Sequence, residues 1–183
     1  MPGEQYFCSM TAGKLMIKRA DINDAAMLTE LSVTTFRDKF APMNSREDME
    51  MYLTMEMNAE KLSAELSDSN SLFFLAYYDE LPIGYAKLRT SSKPEELVSE
   101  KPIEIERLYV LQAYQSKKAG KMLMDHCIAY ATGKGHDVIW LGVWEHNDGA
   151  IRFYSRFGFE RFGSHPFILG NDIQTDILMK RAL

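Results

Sequence analysis

A chain of 183 residues, 46% hydrophobic and 26% charged, has the size and make-up of one globular domain whose core needs no disulfide support. A net charge of -5 offers no generally basic face for nucleic acid, and the two cysteines, Cys8 and Cys127, form neither a CxxC pair nor a disulfide framework, which fits a reducing cytoplasm. No apolar run approaches the roughly 18 residues of a membrane span, and the N-terminus lacks the basic flank and apolar core of a signal peptide.

Residues 1–15 show no period and read as an arm preceding one domain over 16–183. The stretch 16–20 reads as a first strand, and Asp21 as the cap of a helix through Ala25, Leu28 and Leu31. Pro42 interrupts the chain. Ser45 followed by Asp48 is a relative of the capping box and opens a Met-rich helix to about Met57. Met49, Met51, Met55 and Met57 suit flexible core or groove filler better than metal ligation. Another helix is expected from Ala59 to Leu66.

The run 71–90 is a hairpin pattern, two aromatic and aliphatic segments flanking Asp79-Glu80-Leu81-Pro82. A polar loop over 91–102 leads to the clearest strand, 103–110. A helix over 118–133 carries Ala119, Met122, Leu123, His126, Cys127 and Tyr130 on one face and ends at Gly133 and Gly135. The segment 137–144 reads as a buried strand, with core packing expected for Trp140 and Trp144. Asn147 or Asp148 caps a helix bearing Ala150, Phe153, Tyr154 and Phe157, stopped by Gly158. Two further strands are expected, around 159–163 and 175–180, with a turn near Gly170-Asn171-Asp172. This order predicts a mixed sheet with helices on its faces, an α/β (α+β) fold.

The segment YQSKKAGKML (114–123) joins a strand to a helix. A helix start leaves backbone N–H groups unpaired and carries partial positive charge, so such a junction can wrap an anion, phosphate above all. Lys117, Lys118 and Lys121 add cations, and Gly120 permits close approach of a ligand. Lysines at a helix start are equally the mark of a solvated face. Neither GxxxxGK[ST] nor GxGxxG is present.

The surrounding residues carry more. The run IERLYVLQAYQSKKAGKMLM resembles motif A of the GCN5-related N-acetyltransferases (GNAT): a strand ending Leu-Tyr-Val, then Gln115-Ser116-Lys117-Lys118-Ala119-Gly120 at a helix start. Further on, VWEHNDGAIRFYSRFGF resembles that family's second signature through Asn147, Ala150, Tyr154, Gly158 and Phe159. The resemblance covers about Met16 to Leu183. Within the family, EIERLYV, WLGVWE and the tail GNDIQTDILMKRAL are similar to the bacterial spermidine/spermine acetyltransferases of the PaiA type.

The resemblance implies a mostly antiparallel central sheet of about six or seven strands flanked by helices, and acetyl transfer from acetyl-coenzyme A to a primary amine, with a polyamine as acceptor. A peptide or protein N-terminus is the alternative acceptor, and a non-catalytic coenzyme A-binding regulator the alternative class. It places the pyrophosphate over Gln115, Ser116, Lys117, Lys118, Ala119 and Gly120, with amides through Lys121 as donors. The pantetheine arm would run along Leu108, Tyr109 and Val110, with Asn147 on its other side and the Val110 amide as a donor to the thioester oxygen. Tyr154 matches the general acid and Glu106 the base, with Glu104 as substitute. Alternation puts Glu104 and Glu106 on one strand face and Arg107 and Tyr109 on the other, and a closed site would raise the pKa of Glu106. Glu30, Phe36, Asp38, Tyr77 and Tyr85 are conceivable acceptor linings. No metal is called for, and a homodimer is common for this architecture. Lys118 departs from the family pattern: it stands where a glycine is usual, and a positive φ there would cost a lysine roughly 1 kcal/mol.

Overall fold

The computed structural model describes residues 13–98 and 100–183, so most of the expected arm, with Cys8, lies outside the described residues. The chain runs β1 (Leu15–Arg19), α1 (Ala25–Phe40), α2 (Arg46–Glu56), α3 (Ala59–Ser67), β2 (Ser71–Tyr78), β3 (Leu81–Arg89), β4 (Pro102–Val110), α4 (Ala119–Gly133), β5 (Val138–Trp144), α5 (Asp148–Arg156), β6 (Glu160–Leu169) and β7 (Asp172–Ala182). One seven-stranded sheet has the order β1-β2-β3-β4-β5-β7-β6. Every neighbouring pair is antiparallel except β4 and β5, which α4 joins as a parallel crossover.

The apolar run of β2 has a physical reason. Leu72, Phe74 and Ala76 face α4 and pack with Leu123, Met124 and Cys127. Phe73 and Leu75 point the other way, against Leu28 and Leu31 of α1 and Leu62 of α3. A strand covered on both faces reads as continuous hydrophobicity rather than alternation. A third cluster, Phe36, Met49, Leu53, Met57 and Leu169, ties α1 and α2 to the β6–β7 hairpin. Met49 and Met57 are core filler as expected, whereas Met55 is exposed. The hairpin turn is fixed from outside: Asn171 N donates to Asp48 Oδ1 at 2.7 Å, and Gly170 sits at φ +62° against the Asp48 backbone, where a side chain has no room.

Several boundaries move. Asp21 caps a 3-10 turn, Ile22–Asp24, that precedes α1. Helix α4 starts at Ala119, and its buried face is Ala119, Leu123, Met124, Cys127 and Ala131, with Met122 and His126 turned outward. Strands β6 and β7 extend well beyond 159–163 and 175–180. Pro166 concealed the continuation of β6, which tolerates it because β6 is the sheet edge.

Two irregularities position the site. Strands β4 and β5 pair only over Pro102–Glu104 and Val138–Trp140, and diverge afterwards. In β4, Ile105 pairs with Leu88 and Arg107 with Lys87, so Glu106 is an inserted residue opposite no partner. Such a bulge resets the pleat. Before it, Ile103 and Ile105 face α4; after it, Leu108 and Val110 do. Arg107 therefore reaches Glu65 on α3, and Tyr109 packs toward Phe36 of α1. The strict alternation expected for this strand fails: Glu104, Glu106, Arg107 and Tyr109 share one side.

Candidate active site

The divergence of β4 from β5 opens a cleft of about 770 Å³. Glu104 to Val110 form one wall and Gly142 to Trp144 the other. Asn147, Phe153 and Tyr154 close one end. Phe36, Phe40, Tyr52 and Phe167 line another part of it, and His165 and Asp176 of the β6–β7 hairpin also face the cleft.

At the α5 end, a 3-10 turn, Gln112–Lys117, is followed by Lys118 at φ 64°, ψ 13°. That left-handed step turns the chain into α4, and no side chain caps the helix start, so the first-turn amides remain for an outside acceptor. Gln115 and Gly120 line the cleft, and Gln115 Nε2 donates to Val110 O at 3.4 Å. Ser116, Lys117, Lys118 and Lys121 are exposed beside them. Lys117 lies 5.6 Å over the Tyr78 ring, and Lys121 pairs with Asp125 at 2.6 Å. Ala119 presents its amide only, because its side chain is fully buried in the core. Asn147 caps α5 by accepting from Ala150 N at 3.3 Å, which leaves its amide NH₂ for a ligand.

Glu106 stands among cations. Lys87 Nζ is 2.8 Å away, Arg89 3.3 Å and Arg107 3.6 Å. Lys87 also reaches Glu65 at 2.9 Å, Arg107 grips Glu65 bidentately at 2.8 and 3.0 Å, and Arg89 holds Glu104 at 2.7 Å. Three carboxylates and three cations thus form one network. Burial alone would raise Glu106, but Arg107, Lys87 and Arg89 outweigh it and hold the carboxyl below its ordinary range. This corrects the expected upward shift. Burial does raise Glu104, against its Arg89 pairing.

Tyr154 is half-buried at the cleft wall, and its pKa is pushed up to about 12 by burial, then by the nearby Asp176 and Cys127. Its hydroxyl stays protonated at neutral pH. Asp176, which sequence reasoning missed, projects from β7 into the same cleft with its side chain 14% exposed. Among the described residues its one charge contact is His165 Nε2 at 3.9 Å. Burial pushes it up to about 6. The available signal was Gly142, a glycine between the tryptophans of a buried strand: a Cβ there would stand 3.2 Å from both Asp176 Oδ2 and His165 Nε2.

The far wall is aromatic. Phe36 stacks on Tyr52 at 4.7 Å and tilts against Phe40 at 4.6 Å; Tyr52 meets Phe167 at 5.5 Å and Phe40 meets Trp144 at 6.3 Å. Trp144 is thus a wall residue, whereas Trp140 is in the core with Leu97 and Leu178. Of the acceptor linings considered, Phe36 is in place. Tyr85 is fully buried behind Tyr109, Tyr77 packs under α1, and Glu30 and Asp38 are exposed outside the cleft.

The cleft thus brings together a splayed parallel strand pair, a helix start without a side-chain cap and a shielded tyrosine hydroxyl. The chain belongs to the acetyltransferase (GNAT) family, which it matches over residues 28–159. It is an N-acetyltransferase of that class, with acetyl-coenzyme A as cosubstrate. It is 40% identical over 157 residues, 84% of this chain and 88% of the other, to an uncharacterized N-acetyltransferase in the pepI 3′ region of Lactobacillus delbrueckii subsp. lactis. It is 28% identical over 148 residues, 79% and 87% of the two chains, to the spermidine N(1)-acetyltransferase of Thermoplasma acidophilum. In fold it is similar to the PaiA N-acetyltransferase of Thermoplasma acidophilum in complex with coenzyme A, with a TM-score of 0.77 at 24% identity over 93% and 99% of the chains. Among the described residues no helix is long and apolar enough to cross a membrane.

Proposed function

We propose that this cleft transfers acetyl from acetyl-coenzyme A to a primary amine of a polyamine. The observation that carries the reading is the union, in one cleft, of the uncapped α4 start, the diverged β4 edge and the protonated Tyr154. The residues fit the cosubstrate. The amides of Ala119, Gly120 and Lys121 in the first turn of α4 are available to a pyrophosphate, and a Cβ at Gly120 would have only ordinary contacts, 3.8 Å to Phe153 and 3.9 Å to Val110. The fold itself does not require a glycine there, which supports a role of Gly120 toward a ligand. Beyond the pairing with β5, Leu108, Tyr109 and Val110 offer a strand edge to the pantetheine amides, and Asn147 offers its NH₂ from the α5 side. The Val110 amide donates to the thioester oxygen, and Tyr154 gives its proton to the departing thiolate.

The acceptor end favours an alkylammonium. Phe36, Phe40, Tyr52, Trp144 and Phe167 present aromatic surface, and Asp176 supplies a carboxylate not held by an arginine or lysine among the described residues. The spermidine-acetylating relative supports the same class. A cytoplasmic setting suits the buried free thiol of Cys127.

The test is thiol release from acetyl-coenzyme A with spermidine, spermine, a panel of N-terminal peptides and no acceptor. Spermidine- or spermine-dependent release, reduced about 100-fold or more in Tyr154→Phe, is the expected result. Release with peptides alone would replace the polyamine by a peptide N-terminus. Coenzyme A binding with no release for any acceptor would favour a non-catalytic regulator.

A further inference from the structure

An ammonium ion has no lone pair to attack a thioester, so the cleft must remove a proton before the N–C bond forms. Among the described residues four carboxylates line the cleft, and of these Glu56 is paired with Lys61 at 2.6 Å and Glu104 with Arg89 at 2.7 Å. Glu106 is clamped by Lys87, Arg89 and Arg107, at 2.8, 3.3 and 3.6 Å, and its negative charge is already matched. Adding a proton there would disrupt the buried network that joins β3, β4 and α3. Asp176 differs in each respect. It stands on β7 at the cleft wall, nearly buried, in space left by the missing side chain of Gly142. Its cross-strand neighbour His165 is 3.9 Å away, beyond hydrogen-bond reach.

We infer that Asp176 is the catalytic proton acceptor, taking the ammonium proton of the acceptor amine directly or through one water while Tyr154 serves the leaving thiolate. The assignment rests on the acetyl-transfer reading above and adds to it the residue that activates the nucleophile. The balance is complete. One ammonium proton passes to Asp176 and on to solvent. The freed lone pair forms the N–C bond, and the C–S bond breaks with its electron pair going to sulfur. Tyr154 protonates that sulfur and recovers a proton from the second nitrogen hydrogen through water.

The surroundings support the assignment. Burial raises Asp176 to about 6, high for a carboxyl yet ionised at neutral pH, whereas Glu106 is held below its ordinary value. A base nearer the working pH accepts a proton more readily. Among the described residues, His165 on β6 and Tyr154 on α5 are titratable groups beside Asp176, and Gly142 and Trp144 of β5 adjoin it. His165 is lowered by burial and by Arg89 of β3, which favours its neutral form. Tyr154 is raised and also neutral.

The test compares Asp176→Asn, Glu106→Gln and His165→Gln in the full chain. The probes are coenzyme A binding by calorimetry and steady-state kinetics with spermidine, or with whichever amine the panel identifies. For Asp176→Asn, coenzyme A affinity is expected within about threefold of the parent, and kcat is expected to fall by about 10²–10⁴-fold. The acid limb of the kcat profile, near pH 6 in the parent, should vanish in Asp176→Asn and persist in His165→Gln. A hydrazide acceptor, whose nitrogen is already neutral, should be acetylated by Asp176→Asn at a much larger fraction of the parent rate than spermidine is. An active parent with Asp176→Asn within about threefold of it overturns the assignment and leaves the acetyl-transfer reading standing. So does an equal loss with the hydrazide, which marks a structural role, or an acid limb that moves with His165→Gln. A parent that acetylates no amine removes the functional reading itself, and this assignment with it.

Discussion

Lys87 and Glu106 form an ion pair of 2.8 Å at the bulge of β4, with the Lys87 side chain only 3% exposed. A lysine so buried is tolerated because Glu65 takes a second of its protons at 2.9 Å and the Phe73 ring lies 5.6 Å from its ammonium. The pair therefore links α3, β3 and the inserted residue of β4, and keeps the cleft wall in register.

Removing one member should be costly. Lys87→Met leaves Glu65, Glu104 and Glu106 facing only Arg89 and Arg107, one negative charge in excess, and is expected to destabilise the fold by about 3 kcal/mol in urea unfolding at neutral pH. The native network also sets acid sensitivity. Glu106 has a folded pKa below its ordinary 4.5, so its stabilisation is fully present above that value and is lost as pH falls through the lowered one. In Lys87→Met the same loss should begin at higher pH. An unfolding midpoint in Lys87→Met equal to that of the parent from neutral pH to about pH 4 would refute this account.

Asp176 acts with the opposite sign. Its folded pKa, about 6, lies above the ordinary 3.8, so its favourable contribution is complete below about pH 3.8 and disappears as pH rises through 6. At pH 8 the buried charge costs about 3 kcal/mol, given 1.36 kcal/mol per tenfold and a side chain only 14% exposed. Asp176→Asn should therefore stabilise the protein at pH 8 by about 2 kcal/mol and have little effect near pH 4. Thermal unfolding at the two pH values measures it. A catalytic carboxylate held at a cost in stability is the pattern of a functional site, whereas destabilisation at pH 8 would indicate an ordinary structural aspartate.

The contrast between these carboxylates shows what the sequence reveals and what it hides. Strand β4, the start of α4 and the Tyr154 face of α5 were legible because local periodicity and short spacings define them. The helix start at 114–123 allows an anion site or a solvated face, and only the resemblance favours the first; α4 starts without a side-chain cap among the described residues. The bulge was not legible, since a period of two assumes that no residue is inserted. The destination of Arg107 was hidden too, because Glu65 lies 42 residues away in sequence. Asp176 resembled any polar residue in a tail strand. Its environment is made by Gly142 and His165, which belong to two other strands.

Lys118 gives a third prediction. At φ 64° a lysine has the crowding between Cβ and the carbonyl that glycine avoids. Lys118→Gly should relieve that strain and raise stability by about 0.5 kcal/mol, part of the gain being offset by the greater freedom of glycine in the unfolded chain. The backbone amides would keep their arrangement, so coenzyme A affinity is expected within about threefold of the parent. The salt dependence of binding should become shallower, because one exposed cation beside the phosphates is gone. A β-branched replacement, Lys118→Val, should lose stability. Equal melting temperatures for the glycine and valine variants would show that the left-handed conformation is not maintained in solution.

Gly120 separates the needs of the fold from those of the ligand. It sits in the first turn of α4, where glycine is a poor helix former, and a Cβ there would meet Phe153 and Val110 only at 3.8 and 3.9 Å. Gly120→Ala is therefore expected to stabilise the protein by about 0.5 kcal/mol. The same methyl group projects into space lined by Val110, Gln115 and Phe153, next to the amides offered to the pyrophosphate. Coenzyme A affinity, measured by calorimetry, should fall by about tenfold, and kcat with a saturating cosubstrate should change little. Gly120→Leu should abolish cofactor binding while the protein remains folded by circular dichroism. Undiminished affinity in both variants would mean that the pyrophosphate lies elsewhere than over the start of α4. The loop 115–120 would then be a solvated helix end, the alternative that its lysines also allow.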